Sequence, residues 1–299
     1  AHWEWKFRHN PLGATEMVVG MDPASSARAP ACVAVYAVVP HRCELQGEPG
    51  VAGLQTDLAV DPTLRNGLGG SRLILSIGRL YSELHLRGQK ALEWGFPEPH
   101  LQRVCLAHLK VGVLRDVVFL MRETNPLHTR AATLAVEPVA RFGAQVDELW
   151  QRCRREFGAA TVRDARHLNW RYCDHPEIPY LALVAREPGG ALRGLAVARS
   201  GGCDERLFSV MDWLVPLDDR EAEGGLLEAL MEAARARGKP YLAAWFPLFR
   251  PEAQRWQQEY GFCARPTPFQ ESYRCWAKGV GRRWLDEHWY QTMGDIDFL

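Results

Sequence analysis

The sequence predicts an α/β fold made of two copies of one unit, each a mixed β-sheet flanked by helices. Three observations carry this. Strand-like and helix-like patterns alternate along the chain, the alternation occurs twice in the same order, and the second passage reuses short residue patterns of the first. A chain of 299 residues is long enough for two ordinary domains. Its 47% hydrophobic and 24% charged residues are the balance of a soluble globular protein.

Each unit opens on an aromatic-basic-aromatic tripeptide followed four residues later by proline: Trp5-Lys6-Phe7 with Pro11, and Trp170-Arg171-Tyr172 with Pro176. Two strand-like stretches come next, at 15–20 and 31–39 in the first copy and at 179–186 and 191–199 in the second. Each copy then reaches an apolar strand carrying one aspartate, LQTDLAVDP at 54–62 and FSVMDWLVP at 208–216. In 71–88, Leu73, Ile77, Leu80, Tyr81 and Leu84 recur at spacings of three and four, the mark of one helical face, and Gly88 supplies a stop. In 224–238, Leu226, Leu227, Leu230, Met231 and Ala234 repeat the pattern, and Gly238 closes it. Two strands ending in Phe-Pro follow, ALEWGFP at 91–97 and YLAAWFP at 241–247, each with a last helix, at 99–109 and 251–260. The tryptophans read first as core packing.

Before Trp170 the second copy carries a strand candidate at 133–142 and an amphipathic helix with Leu149, Trp150, Cys153 and Phe157 on one face. The first copy has four residues before Trp5. By analogy it lacks roughly 30 residues at its start, its N-terminal strand and helix. The boundaries are read as 1–130 for the first unit and 131–299 for the second.

Charge and cysteine usage narrow the partners. The 36 basic and 36 acidic residues cancel, so no bulk electrostatic footprint for nucleic acid or an anionic membrane is expected. The eight cysteines contain no C-x-x-C pair. His41-Arg42-Cys43 and Cys173-Asp174-His175 have no third ligand at suitable spacing, so no metal is assigned. The longest apolar run, 31–40, is too short for a bilayer, and no signal peptide pattern occurs. A cytoplasmic protein with reduced thiols is expected.

The turn between the aspartate strand and the helix is the most informative segment. Arg65, Asn66, Gly67, Leu68, Gly69, Gly70 and Ser71 follow Val60-Asp61-Pro62. Glycines let the backbone approach a ligand closely, the free N–H groups of a helix start point outward, and Arg65 adds a full charge. Together they form a candidate pyrophosphate cradle. At the matching place the second copy has Asp218, Asp219, Glu221 and Glu223, which repel a polyanion and favour a helix N-terminus in their own right. No pyrophosphate is expected there.

With V-D-P, an Arg/Gly-rich turn opening a long helix, and a later strand running into Gly95-Phe96-Pro97, the chain resembles the GNAT acetyltransferase superfamily. The second copy resembles the same unit, and the whole is similar to bacterial tandem-GNAT proteins, down to the tail Gly294-Asp295-Ile296-Asp297. The family pattern Gln/Arg-x-x-Gly-x-Gly/Ala is met by Arg65 and Gly70, with Leu68 at its fourth position. The resemblance implies an N-acyltransferase that moves an acyl group from acetyl-CoA or another acyl-CoA to an amine on a small molecule or peptide. It implies that the turn holds pyrophosphate, and that the backbone of Leu58, Ala59 and Val60 runs beside the pantetheine arm and can supply an oxyanion donor.

Direct attack needs a base for the amine and a donor for the oxyanion, and a general acid helps the thiolate leave. Asp57 on the aspartate strand and Glu93 on its neighbour are the candidate bases. Asp57 has a counterpart in Asp212, which favours a structural hydrogen bond, whereas Glu93 aligns with Ala243 and belongs to the first copy alone. His100 and His108 follow on the last helix as proton relays, or as ordinary surface or core histidines. No tyrosine lies between 97 and 112, and Tyr260 falls elsewhere, so the general acid is unassigned. Two other readings stand beside the enzyme: a catalytically inactive tandem module that binds a ligand or protein, and a transferase that takes aminoacyl-tRNA in place of acyl-CoA.

Overall fold

In the computed structural model, which describes residues 1–13, 15–22, 31–64, 68–85, 90–127 and 134–296, all strands join one 13-stranded mixed sheet. The first half of the chain supplies α1 (His2–Phe7), β1 (Glu16–Asp22), β2 (Ala31–Leu45), β3 (Glu48–Val60), α2 (Leu68–His85), β4 (Leu92–Gly95), α3 (Pro99–His108) and β5 (Gly112–Glu123). The second half begins with β6 (Ala135–Pro138), α4 (Gln145–Cys153), β7 (Ala159–Thr161) and α5 (Ala165–Leu168). It continues through β8 (Leu181–Arg186), β9 (Leu192–Ser200), β10 (Leu207–Leu214), α6 (Arg220–Ala236), β11 (Tyr241–Ala244) and α7 (Pro251–Gln258). It closes with β12 (Cys263–Cys275), α8 (Arg282–His288) and β13 (Trp289–Tyr290). The expected α/β class is the observed one, and α2 starts three residues before the predicted 71. The predicted stop at Gly88 lies outside the described residues.

The strand order is β13-β7-β2-β3-β4-β12-β5-β11-β10-β9-β8-β6, with β1 paired to β2. Strands β2 and β3 form a long hairpin closed at Gln46 and Gly47, both at positive φ (55° and 81°), as a two-residue hairpin turn requires. Side chains alternate along β2: Tyr36 and Val38 pack with Ile77 and Tyr81 under α2, while Ala37 and Val39 join the large core on the other face.

At the centre the two halves exchange strands. The late strand β12 lies beside β4, pairing Ser272 with Gly95 and Cys275 with Leu92. The early strand β5 lies beside β11, pairing Tyr241 with Glu123. β12 and β5 then pair with each other to close the sheet. A second tie comes from the repeated tripeptides. The Trp5 and Trp170 rings stack at 5.2 Å, and each indole N–H donates to the other's backbone carbonyl, at 2.6 and 3.1 Å. The two tripeptides thus meet in one reciprocal contact.

Candidate functional site

Two parallel ladders in this sheet stop early. The β3–β4 ladder ends at Leu54 and Trp94, and the β10–β11 ladder at Val210 and Ala244. Beyond those pairs β3 and β10 each turn an edge toward a gap. The ends of the two gaps differ.

The gap beside β3 is an open cleft of about 340 Å³. Gln55, Thr56, Asp57, Leu58 and Ala59 form one wall, Gly95, Phe96, Pro97 and Glu98 the other, and Tyr36, Leu101 and Cys105 close the floor. A bulge shapes the first wall: Asp57 sits at φ 45°, and the β2–β3 register slips between Val35 and Ala37. Two residues of β3 then oppose one of β2, which bends β3 away from β4. Opposite, Gly95 leaves the space free, because a Cβ there would stand 2.9 Å from that of Gln55.

Helix α2 begins at Leu68, so Leu68, Gly69, Gly70 and Ser71 form its first turn, with no acidic side chain among them. The first-turn N–H groups of a helix make its N-terminal end partially positive. Arg65, Asn66 and Gly67 lie outside the described residues. Val60 is buried against α2 with Val18 and Ile77, so its side chain serves the core, while Leu58 and Ala59 line the cleft.

The two candidate bases stand in different settings. Asp57 lines the cleft with its side chain 45% exposed, and Lys6 of α1 donates to its carboxylate at 2.6 Å and to Thr56 Oγ1 at the same distance. Glu93 is fully buried. Arg274 of β12 holds it at 2.8 Å, Tyr81 of α2 donates to it at 2.7 Å, and Gln55 reaches it at 3.2 Å. Gln55 is the cleft residue that touches Glu93. Arg274 also donates to the Tyr36 hydroxyl at 2.9 Å and to Ser82 at 3.0 Å. Burial pushes the Tyr36 phenol above its ordinary range against the pull of Arg274, and burial raises the Cys105 thiol. Asp212, the sequence counterpart of Asp57, is buried and locked by Arg163 at 2.8 Å and the Tyr172 hydroxyl at 2.8 Å. His100 and His108 lie on α3.

Sequence reasoning did not single out Tyr36, Gln55, Thr56, Lys6 or Arg274. A signal existed for Lys6, the basic residue at the centre of the first tripeptide. None existed for Arg274, which comes from a strand 181 residues after Glu93.

The gap beside β10 is filled. Trp213, Trp245, Phe246 and Trp256 are each at most 1% exposed, and Trp256 stands edge-on to Trp213 and Phe246 at 5.1 and 5.0 Å. Trp245 occupies the repeat position of Gly95. At the start of α6, Asp219 accepts from the Ala222 amide and is held by Arg193, so this helix end is already capped by an anion of its own. A larger hollow of about 700 Å³ lies between α1 and residues 141–176, but it adjoins neither an open strand edge nor a glycine-bearing helix start. Shape and exposed backbone favour the smaller cleft as the site. Among the described residues no group of three or more His, Cys, Asp or Glu could hold a metal ion, and no helix is long and apolar enough to cross a membrane.

No protein-family model matches the sequence, and no curated protein does. Solved structures do. A conserved protein of unknown function from Enterococcus faecalis V583, described as a probable N-acyltransferase, aligns with a TM-score of 0.56 at 11% identity, over 82% of this chain and 59% of that one. A GCN5-related N-acetyltransferase from Anabaena variabilis aligns at 0.57 and 12% identity, over 82% and 60%. Saccharomyces cerevisiae N-myristoyltransferase with bound myristoyl-CoA aligns at 0.53 and 12% identity, over 81% and 66%. The chain therefore spans about three fifths of the length of the first two. At these identities the likeness concerns architecture: the fold of this chain is that of the GCN5-related N-acetyltransferases.

Proposed function

We propose that this protein transfers an acyl group from acyl-CoA to an amine, using one cleft, that between β3 and β4. The observation that carries this reading is the open strand edge from Gln55 to Ala59, leading to a helix end free of acidic groups. An extended thioester arm carries amides that can add to such an edge as a further strand, and its pyrophosphate suits the first turn of α2. The solved structure of N-myristoyltransferase, which shares the fold, holds myristoyl-CoA. The units 1–130 and 131–299 would then divide the work, the first binding acyl-CoA and the second completing the sheet through β12.

In this reading the Leu58–Val60 backbone supplies the oxyanion donor, and Asp57 takes the proton of the incoming amine, since it alone of the two candidate bases lines the cleft. The amine attacks the thioester carbon, the tetrahedral oxyanion collapses, and the C–S bond breaks to release the thiolate. Glu93 acts as a positioning residue by fixing Gln55 and Arg274 beneath the cleft. The test is calorimetric titration of acetyl-CoA into the parent and a Gly70→Asp variant. Binding in the micromolar range, weakened about tenfold or more by the added carboxylate, supports the reading. Absence of binding to the parent, with acetyl-CoA and longer acyl-CoAs alike, overturns it.

A further inference from the structure

Beyond Val210 β10 has left its ladder with β11, as β3 has left its ladder with β4 beyond Leu54. On β10 the freed edge is met by side chains from elsewhere in the chain. The Trp213 carbonyl accepts from the Tyr290 hydroxyl at 2.7 Å, and the Met211 carbonyl accepts from Tyr172 at 3.4 Å. Tyr290 is fully buried, with its ring stacked on Phe157 at 4.2 Å. Residues 289–296 thus reach the freed strand edge from outside the ladder.

Three anchors hold this segment. β13 adds to β7 as a short parallel strand. Asp295 is buried between Arg163 at 2.5 Å and Thr161 at 2.8 Å, and its carboxylate caps the turn from Thr292. Gly294 passes where no side chain fits, since a Cβ would stand 1.9 Å from the Tyr172 hydroxyl oxygen and 2.6 Å from the Met211 carbonyl. One further bond leads away from the second gap. The Trp94 indole N–H donates to the Asp295 carbonyl at 3.1 Å, and its ring stands edge-on to Trp289 at 5.5 Å. Trp94 is the last residue of β4 paired with β3, immediately before the cleft wall at Gly95.

We propose that residues 289–296 are an internal ligand of the second cleft and, through Trp94, the brace that holds the β4 wall of the first. The segment takes at β10 the place the acyl-CoA arm takes at β3, a comparison that rests on the function proposed above. It follows that one acyl-CoA binds per chain, and that its cleft depends on a segment that never touches it.

The full chain tests this by amide hydrogen exchange, with Gly294→Ala to unseat the segment and Trp94→Phe to remove the indole hydrogen bond to the Asp295 carbonyl. Gly294→Ala is expected to speed exchange about tenfold or more in 289–296, in Met211–Leu214 and in Leu92–Gly95 together. Trp94→Phe is expected to speed it several-fold in Leu92–Gly95 and 293–296. Release of 289–296 with Leu92–Gly95 as protected as in the parent overturns the brace. A Gly294→Ala chain with all three segments protected overturns the steric argument for the seat. Should Gly294→Ala fail to fold, Trp94→Phe decides alone, and unchanged exchange there sinks the proposal. Acetyl-CoA titration of the same proteins is read separately: a parent that binds none refutes the proposed function and leaves the exchange result standing.

Discussion

The two clefts are made from the same parts and finished in opposite ways. Beside β3 the wall carries Gly95, the helix end lacks acidic groups, and the strand edge is open. Beside β10 the matching position carries Trp245, the helix end is capped by Asp219, and the strand edge is occupied by Tyr172 and Tyr290. Splayed parallel strands create backbone groups that need partners. A repeat that keeps the gap for a ligand must leave it empty of side chains, and one that abandons the ligand must fill it, since a buried unpaired carbonyl costs about 1–3 kcal/mol.

The largest way to break this contrast is to give the first cleft the second's plug. Gly95→Trp should abolish acyl-CoA binding, a loss of at least about 100-fold by calorimetry, because the indole would fill the gap opposite Gln55. Retained binding would mean the arm lies elsewhere. Next in size is Asp57→Asn, expected to lower kcat by about 100-fold with little change in acyl-CoA affinity, as a lost general base should. A drop in affinity alone would make Asp57 a binding group. The smallest effect sharpens the comparison at the seam between the halves. Glu271 of β12 is fully buried, and burial lifts its carboxyl from 4.5 to about 7 against the pull of Arg115, whose Nε lies 3.0 Å away. The folded state holds this proton more tightly than the unfolded chain, so the stabilisation is complete below pH 4.5 and is lost as pH rises through about 7. Denaturant unfolding near pH 5 and near pH 8 should show a decline on the order of 2–3 kcal/mol that Glu271→Gln removes. An equal decline in the variant would assign the titration to another group.

Much of this architecture was legible in the residues because it is local. Helical spacing located α2 and α6, glycine marked the open helix start, and the repeated tripeptides marked the start of each copy, though not that their tryptophans meet. What escaped was long-range. β12 carries Pro266 and Pro268 and alternates poorly, so it does not read as the strand at the centre of a sheet. Its place beside β4 follows from pairing across most of the chain, which no window of sequence contains. The same holds for Arg274, whose role comes from meeting Glu93 and Tyr36. Glu93 was noticed because the repeat has alanine there, yet its burial depends on those distant partners. The brace at 289–296 was visible as a tail resembling tandem relatives, with nothing to show which gap it enters.

The exchanged strands have a consequence for synthesis on the ribosome. The first half of the chain emerges with β4 lacking its outer neighbour, since Glu93 and Arg274 lie 181 residues apart. Until β12 has left the exit tunnel, that apolar edge is an unprotected template for pairing with other nascent chains. The part made first is therefore completed only once β12, far along the chain, has emerged. At equal stability such long-range closure slows folding. A pause or truncation before residue 263 should thus yield a chain that a holdase retains and that cannot mature by itself.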